Sequence, residues 1–238
     1  MNLITLFEQV IAINEAVGNV AKPCKATVDH QNTIIHSEVL ELCQGVLEND
    51  AREIRDGIGD VLFTVAGMYG RLGLIPVPIH VTDADVVNAD VAELSKRMDK
   101  LCIAIGVVAG IPSMSYYTVI ELLLRELIHC AIVMAKSYEL PYLEDLAEVC
   151  RSNWTKFDSN EEDAQATRQK YADIGVLVTQ KDQLIERNND QTYITVTYSA
   201  LDQTGTDGKK YPGGKWLKSI KFEDTVFSET PNRIQLRD

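Results

Sequence analysis

The sequence predicts a mainly α-helical protein, with a helical body over residues 1–158 and a smaller extension over 159–238 made of one polar helix and a β-rich tail. Three observations carry this. Apolar residues recur at helical spacing through long stretches as far as Trp154. Gly and Pro gather between those stretches, where they end helices. Beyond Gly175 the text changes to short β-branched and aromatic runs separated by Gly-rich turns.

The elements follow in order. Leu3, Leu6, Phe7, Val10, Ile11, Ile13 and Val17 mark a first helix, closed by Gly18 and Pro23. A second is expected from about Asn32 to Leu47, and a third from Ala51 to Leu72, stopped by Gly73 and Pro76. Leu74 to Asp85, with two prolines, reads as an extended connector and opens an insert over about 74–115. Helices are then expected over Val86–Val108 and Tyr116–Ser137, split by Gly110 and Pro112, and over Leu143–Trp154. Ser159 and Glu162 have capping-box spacing and start a polar helix to about Tyr171. Strands are expected at Val176–Thr179, Tyr193–Tyr198 and Trp216–Phe222, with turns at Gly205–Lys209 and Pro212–Gly214. Val61–Gly73 and Ala131–Leu140 resemble each other as apolar helix ends before a connector, a weak sign of an internal repeat.

Composition narrows the function. The chain has 238 residues, 45% hydrophobic, with 23 basic against 35 acidic residues and a net charge of −12. That length allows one large domain or a domain with an appendage. A surface so acidic repels polyphosphate backbones, so binding to a nucleic acid polymer is not expected. No apolar run reaches the ~18 residues of a membrane span, and no signal peptide is expected from Met1–Thr5. The five cysteines include no C-x-x-C pair and read as reduced, buried thiols. The expected location is cytoplasmic.

The chemistry lies in two acidic segments. At about 100° per residue, Glu41 falls about 60° from Glu38, and Ile34 about 40° from it, so both carboxylates border the apolar arc of their helix. On the next helix Glu53 and Asp56 fall within about 40° of Asp60, beside the stripe Ile54, Ile58, Val61, Val65, Met68 and Leu72. Gly57 and Gly67 border that stripe and allow a close neighbour. A short connection makes the two helices antiparallel, so five carboxylates face one inter-helix groove. Like charges at that spacing repel, and hard cations such as Mg²⁺ or Mn²⁺ neutralise all-oxygen clusters. An acidic surface with counterions is the plainer alternative.

Glu38-Val39-Leu40-Glu41 followed by Glu53-Ile54-Arg55-Asp56 resembles the E-x-x-E, spacer, E-x-x-D pattern of the all-α NTP pyrophosphohydrolases, the MazG-like superfamily that includes phosphoribosyl-ATP pyrophosphohydrolase. Asp60-Val61-Leu62-Phe63 is similar to the acid and apolar run that often follows. Ser37 stands where many members carry a further Glu, and Gly57 stands three residues before Asp60. The second acidic pair is therefore Glu53/Asp56, with Asp60 accessory, or Asp56/Asp60. Glu148 to Phe157 resembles the segment after the last core helix of the phosphoribosyl-ATP branch, where an Asn and a Lys three apart contact the nucleotide; here these are Asn153 and Lys156. A cation-rich helix end is the other reading of that segment. Gly214–Ser219 is similar to a lysine-bearing C-terminal strand of some members.

The resemblance covers about residues 34–72 and 146–158, and implies a helical-bundle core hydrolysing a (d)NTP to (d)NMP and pyrophosphate for nucleotide-pool control. It implies Mg²⁺, with Mn²⁺ as a substitute, on Glu38, Glu41, Glu53, Asp56 and Asp60. Glu38 and Glu41 are the expected catalytic groups, Glu38 accepting the proton of water. Substrate contacts fall to Asn153 and Lys156, and to Lys218, a tail cation placed to meet residual triphosphate charge. A homodimer or higher homo-oligomer is expected.

Other signals are weaker. Glu126 and His129 have the spacing of a di-iron bundle, but that chemistry needs two such motifs and two further Glu. His30 and His36 belong either to the acidic site or to the surface. Neither Gly205–Lys209 nor Gly213–Lys215 has phosphate-loop spacing. Two functional alternatives stand beside the hydrolase: a non-catalytic helical binding or regulatory protein, and a di-metal carboxylate protein.

Overall fold

A computed structural model describes residues 2–110, 116–187 and 190–228. Pro112, and residues 111–115 of the expected insert, lie outside the described residues. The chain divides into two units: Met1–Glu15, Asn19–Cys150 and Val226–Asp238 form the first, and Ala16–Gly18 with Arg151–Thr225 the second.

In the first unit, α1 (Leu3–Ala16) precedes α2 (Lys25–Glu48) and α3 (Ala51–Leu72). α2 starts seven residues before the expected Asn32. Its first two turns are mostly polar and carry little apolar period, and the start is set by the extended backbone of Cys24 at the N-cap. Asn49, in the left-handed region at φ 53°, ends α2, and Asp50 immediately caps α3 by accepting from the backbone N–H groups of Arg52 and Glu53. So short a link forces the antiparallel pairing of α2 and α3.

The connector is more structured than expected. Thr82 and Asp85 form a reciprocal capping box that starts α4 (Asp83–Val87). The helix expected from Val86 breaks at Asn88 and restarts as α5 (Val91–Ala109), capped by Asp90. α6 (Tyr116–Ser137) and α7 (Tyr142–Trp154) match the expectation within a residue. α2 packs on α3 and α5, and α6 packs on α3 and α5, so two helical hairpins close a four-helix ring within one chain.

The expected single apolar stripe of α3 is too narrow. From Gly57 to Gly70 every residue is buried except Asp60 and Thr64, which are half-buried. α3 is the central helix, and Ile11, Leu42 and Val149 each press on one of its glycines. Gly57 is the tightest inter-helix approach to a backbone: a Cβ there would lie 2.9 Å from Leu42 Cβ and 3.0 Å from its Cα.

The second unit contains α8 (Glu161–Asp173), β1 (Val178–Arg187), β2 (Asp190–Ser199), β3 (Gln203–Thr204) and β4 (Lys210–Tyr211). The N-cap of α8 is Asn160, bonded to Asp163 N, rather than Ser159. β1 and β2 pair antiparallel from Val178↔Ser199 to Arg187↔Asp190, and β3 and β4 form a second small hairpin. The expected strand Trp216–Phe222 is not one: it reduces to a single bridge between Trp216 and Tyr198, followed by a turn.

Burial alternates along that segment all the same. Leu217 and Ser219 are buried, whereas Lys218 and Ile220 are exposed. The cause is polar. Asp158 is 1% exposed, and its Oδ1 accepts from Thr167 Oγ1 at 2.9 Å and Ser219 Oγ at 2.5 Å. A buried carboxylate requires donors, and it draws Ser219 inward. No helix among the described residues is long and apolar enough to cross a membrane.

Candidate functional site

The acidic residues sit on the α2–α3 hairpin. Gly45 faces Glu53, where a Cβ would lie 3.0 Å from Glu53 Cβ, and Gly57 faces Leu42. Continued up the antiparallel pair, this register brings Glu38 to the level of Asp60. Glu38, Asp56 and Asp60 are half-buried, while Glu41 and Glu53 are exposed. The repulsion expected of five clustered carboxylates is thus relieved by spreading two of them into water. Among the described residues no three His, Cys, Asp or Glu side chains converge as a metal-binding group.

Asp60 stands out on α3 because its neighbours are core. Its backbone carbonyl accepts from Thr64 Oγ1 at 2.8 Å. On the other side of the helix, Arg55 is 1% exposed, and its Nε donates to Asp145 Oδ2 at 2.9 Å, its Nη2 to Asp145 Oδ1 at 2.5 Å. Arg55 Nη1 also donates to the carbonyl of Ser228 at 2.7 Å, and the guanidinium carbon lies 4.8 Å from the centroid of the Phe227 ring. This bidentate clamp between α3 and α7 fixes the rotation of α3, and with it the direction of the neighbouring Asp56. Sequence reasoning missed the clamp. The available signal was the wheel position of Arg55, among Gly59, Leu62 and Ala66.

His36 and His129 are engaged with acids outside the hairpin. His36 Nε2 lies 2.7 Å from Asp99 Oδ1 on α5. His129 Nε2 lies 3.7 Å from Asp85, and Glu126 pairs with Arg97 rather than with a second acid.

The remaining expected substrate residues belong to the second unit. Asn153 is buried and accepts from Lys156 Nζ at 2.6 Å through Oδ1. Lys218 Nζ donates to Asp224 Oδ1 at 3.1 Å and stands 3.9 Å from the Phe222 ring centroid. Its charge is thus engaged locally, by an acid and by an aromatic face.

The thiols divide more finely than their spacing suggested. Cys102, Cys130 and Cys150 are buried, and burial pushes them up to about 12, 11 and 12. Cys43 and Cys24 are half-buried. Hydrogen bonds from the side chain and backbone of Thr27 hold the Cys24 thiol below the ordinary value.

No protein-family model, curated protein or solved structure matches this chain.

Proposed function

We propose that the protein is a divalent-metal-dependent pyrophosphohydrolase acting on nucleoside triphosphates, with its site on the α2–α3 hairpin. The observation that carries the reading is Asp60: a half-buried carboxylate in the mostly buried middle of the central helix, level with the half-buried Glu38 of the facing helix. Two carboxylates at one level of two facing helices supply the kind of oxygen ligands that a hard cation takes.

The donor set is all carboxylate oxygen, which suits Mg²⁺ or Mn²⁺. Glu38, Asp56 and Asp60 would hold the ion, with Glu41 and Glu53 turning in from solvent to complete the set. A cation bound there would neutralise the triphosphate and polarise the attacked phosphoryl group. Glu38, lying deepest on α2 of the two expected catalytic acids, accepts the proton of the attacking water. The Arg55–Asp145 pair keeps α3 from turning as charge builds at the groove. Asn153, Lys156 and Lys218 are the proposed nucleotide contacts of the second unit, through an amide and two ammonium groups.

One observation favours the non-catalytic alternative, a helical binding protein: no three of the acids converge as they stand. The oligomer is a separate part of the proposal. A homodimer follows from the resemblance, whereas the four-helix ring closed within one chain favours internal completion of the bundle. Light scattering on the protein at working concentration distinguishes these.

The deciding experiment is a panel of nucleoside triphosphates with Mg²⁺, analysed for products. Monophosphate with pyrophosphate supports the reading. Diphosphate with phosphate, or no turnover with any substrate in Mg²⁺ or Mn²⁺, overturns it.

A further inference from the structure

The chain leaves the first unit after Cys150 and returns to it at Val226. The returning residues Val226, Phe227 and Ser228 form neither helix nor strand, and side chains of α3 and α7 hold all three. Val226 N–H donates to Glu148 Oε1 at 2.7 Å. The Phe227 ring centroid lies 4.8 Å from the guanidinium carbon of Arg55, and the side chain packs against the helical core. Ser228 is held twice: Arg55 Nη1 donates to its carbonyl at 2.7 Å, and Nη2 to its Oγ at 3.2 Å.

These contacts have the form of peptide recognition. A main-chain donor is met at one end and a main-chain acceptor at the other, while one aromatic side chain anchors the middle. The receiving groups are fixed independently of the segment. Arg55 is 1% exposed and Asp145 3%, and the two hydrogen bonds between them set the plane of the guanidinium. That plane offers a face to an aromatic ring and an N–H edge to a carbonyl. Glu148 follows Asp145 by three residues on α7, so both acids occupy one helix face. The segment, by contrast, is thinly covered. Val226 is 75% exposed, Ser228 is exposed, and Phe227 is half-buried. A buried, preset receptor and an exposed segment resting on one aromatic anchor describe a bound peptide rather than a piece of the core.

We infer that Arg55, Glu148 and the core edge beside them form a binding site for a peptide segment of the type apolar–Phe–Ser, filled in this chain by its own Val226–Ser228 as a releasable strap. Selectivity follows from the contacts. The first position needs an N–H and so excludes proline, the second needs an aromatic ring, and the third favours a hydroxyl. Withdrawal of the strap takes a carbonyl and a hydroxyl acceptor from a buried guanidinium, so the vacated site favours an equivalent segment from solution. The site uses none of the proposed metal-binding carboxylates, and it stands or falls apart from the hydrolase reading.

The test uses the full chain and a fluorescein-labelled Thr-Val-Phe-Ser peptide, amidated at its C-terminus and followed by fluorescence anisotropy. A tethered strap acts at an effective concentration in the millimolar range, so the unaltered protein takes up little peptide. Phe227→Ala removes the anchor of the strap and frees the site. This variant is expected to bind the peptide saturably, about tenfold or more tighter than the unaltered protein does. A control peptide with Ala in place of Phe is expected to bind it about tenfold or more weakly. Should Phe227→Ala fail to fold, Val226→Pro decides, because it deletes the N–H bonded to Glu148 at an exposed position; the same pattern is expected. No saturable binding by the deciding variant, equal binding of the two peptides, or equal binding by the variant and the unaltered protein overturns the inference.

Discussion

Arg55 and Asp145, ninety residues apart in the chain, form a bidentate ion pair inside the first unit, both almost wholly withdrawn from solvent. Removing one partner strands the other as a buried charge. Asp145→Asn is therefore expected to destabilise the first unit by about 3–5 kcal/mol. Denaturant unfolding followed by the helical circular dichroism signal checks this. A loss under about 1 kcal/mol would show that the clamp is not what fixes α3.

Gly57 has no room for a side chain, because the nearest atoms belong to the Leu42 backbone and Cβ rather than to a flexible tip. Gly57→Ala gains helix propensity on an isolated helix, yet here the steric term dominates and a net loss of roughly 1–3 kcal/mol is expected. The same substitution would tilt α2 from α3 and lower any metal-dependent turnover. Unfolding midpoints and kinetics on one preparation measure both.

Glu41→Gln and Asp56→Asn are each expected to lower Mg²⁺-dependent hydrolysis by about a hundredfold or more. Both keep the side-chain shape and remove a charge from a repulsive cluster, so metal-free stability should be unchanged or raised. Near-normal turnover in saturating Mg²⁺ would remove that residue from the proposed ligand set.

Asp158 carries a pH signature. Burial raises its carboxyl above the ordinary 3.8, against the opposing hydrogen bonds of Ser219 and Thr167. Between the unfolded and the raised folded value the native state keeps a proton that the unfolded chain has lost, so stability falls as pH rises through that window. Asp158→Asn should flatten this slope. Trp154 and Trp216 both lie in the second unit, so tryptophan fluorescence during urea unfolding from pH 4 to 7 reports it directly. Parallel pH profiles for the two proteins would contradict the assignment.

Cys24 should be the first thiol to react. Its pKa is lowered and it is half-buried, whereas burial raises those of Cys102, Cys130 and Cys150. Brief iodoacetamide treatment of the native protein, mapped by peptide mass, is expected to label Cys24 ahead of those three. Labelling of a buried thiol first would contradict it.

The sequence by itself determined where most helices lie, because periodicity and caps are local. Asp50 and Gly73 bound α3 within the chain text, and a link of two residues already makes α2 and α3 antiparallel. That local logic assigned Glu38 to α2 and Asp56 and Asp60 to the facing α3, where all three are half-buried without converging as a metal-binding group. It did not foresee Glu41 and Glu53 in solvent, since the wheel gives direction but not the reach of a neighbour. Only the tertiary structure decided that α3 is central, because burial on its far sides comes from α1, α6 and α7, distant in sequence. It also decided that Ser219 rather than Lys218 turns inward, to satisfy Asp158, and that Arg55 has an acid partner while Arg71 has none among the described residues. Which charge meets which is settled by packing, and packing joins residues that no local period relates.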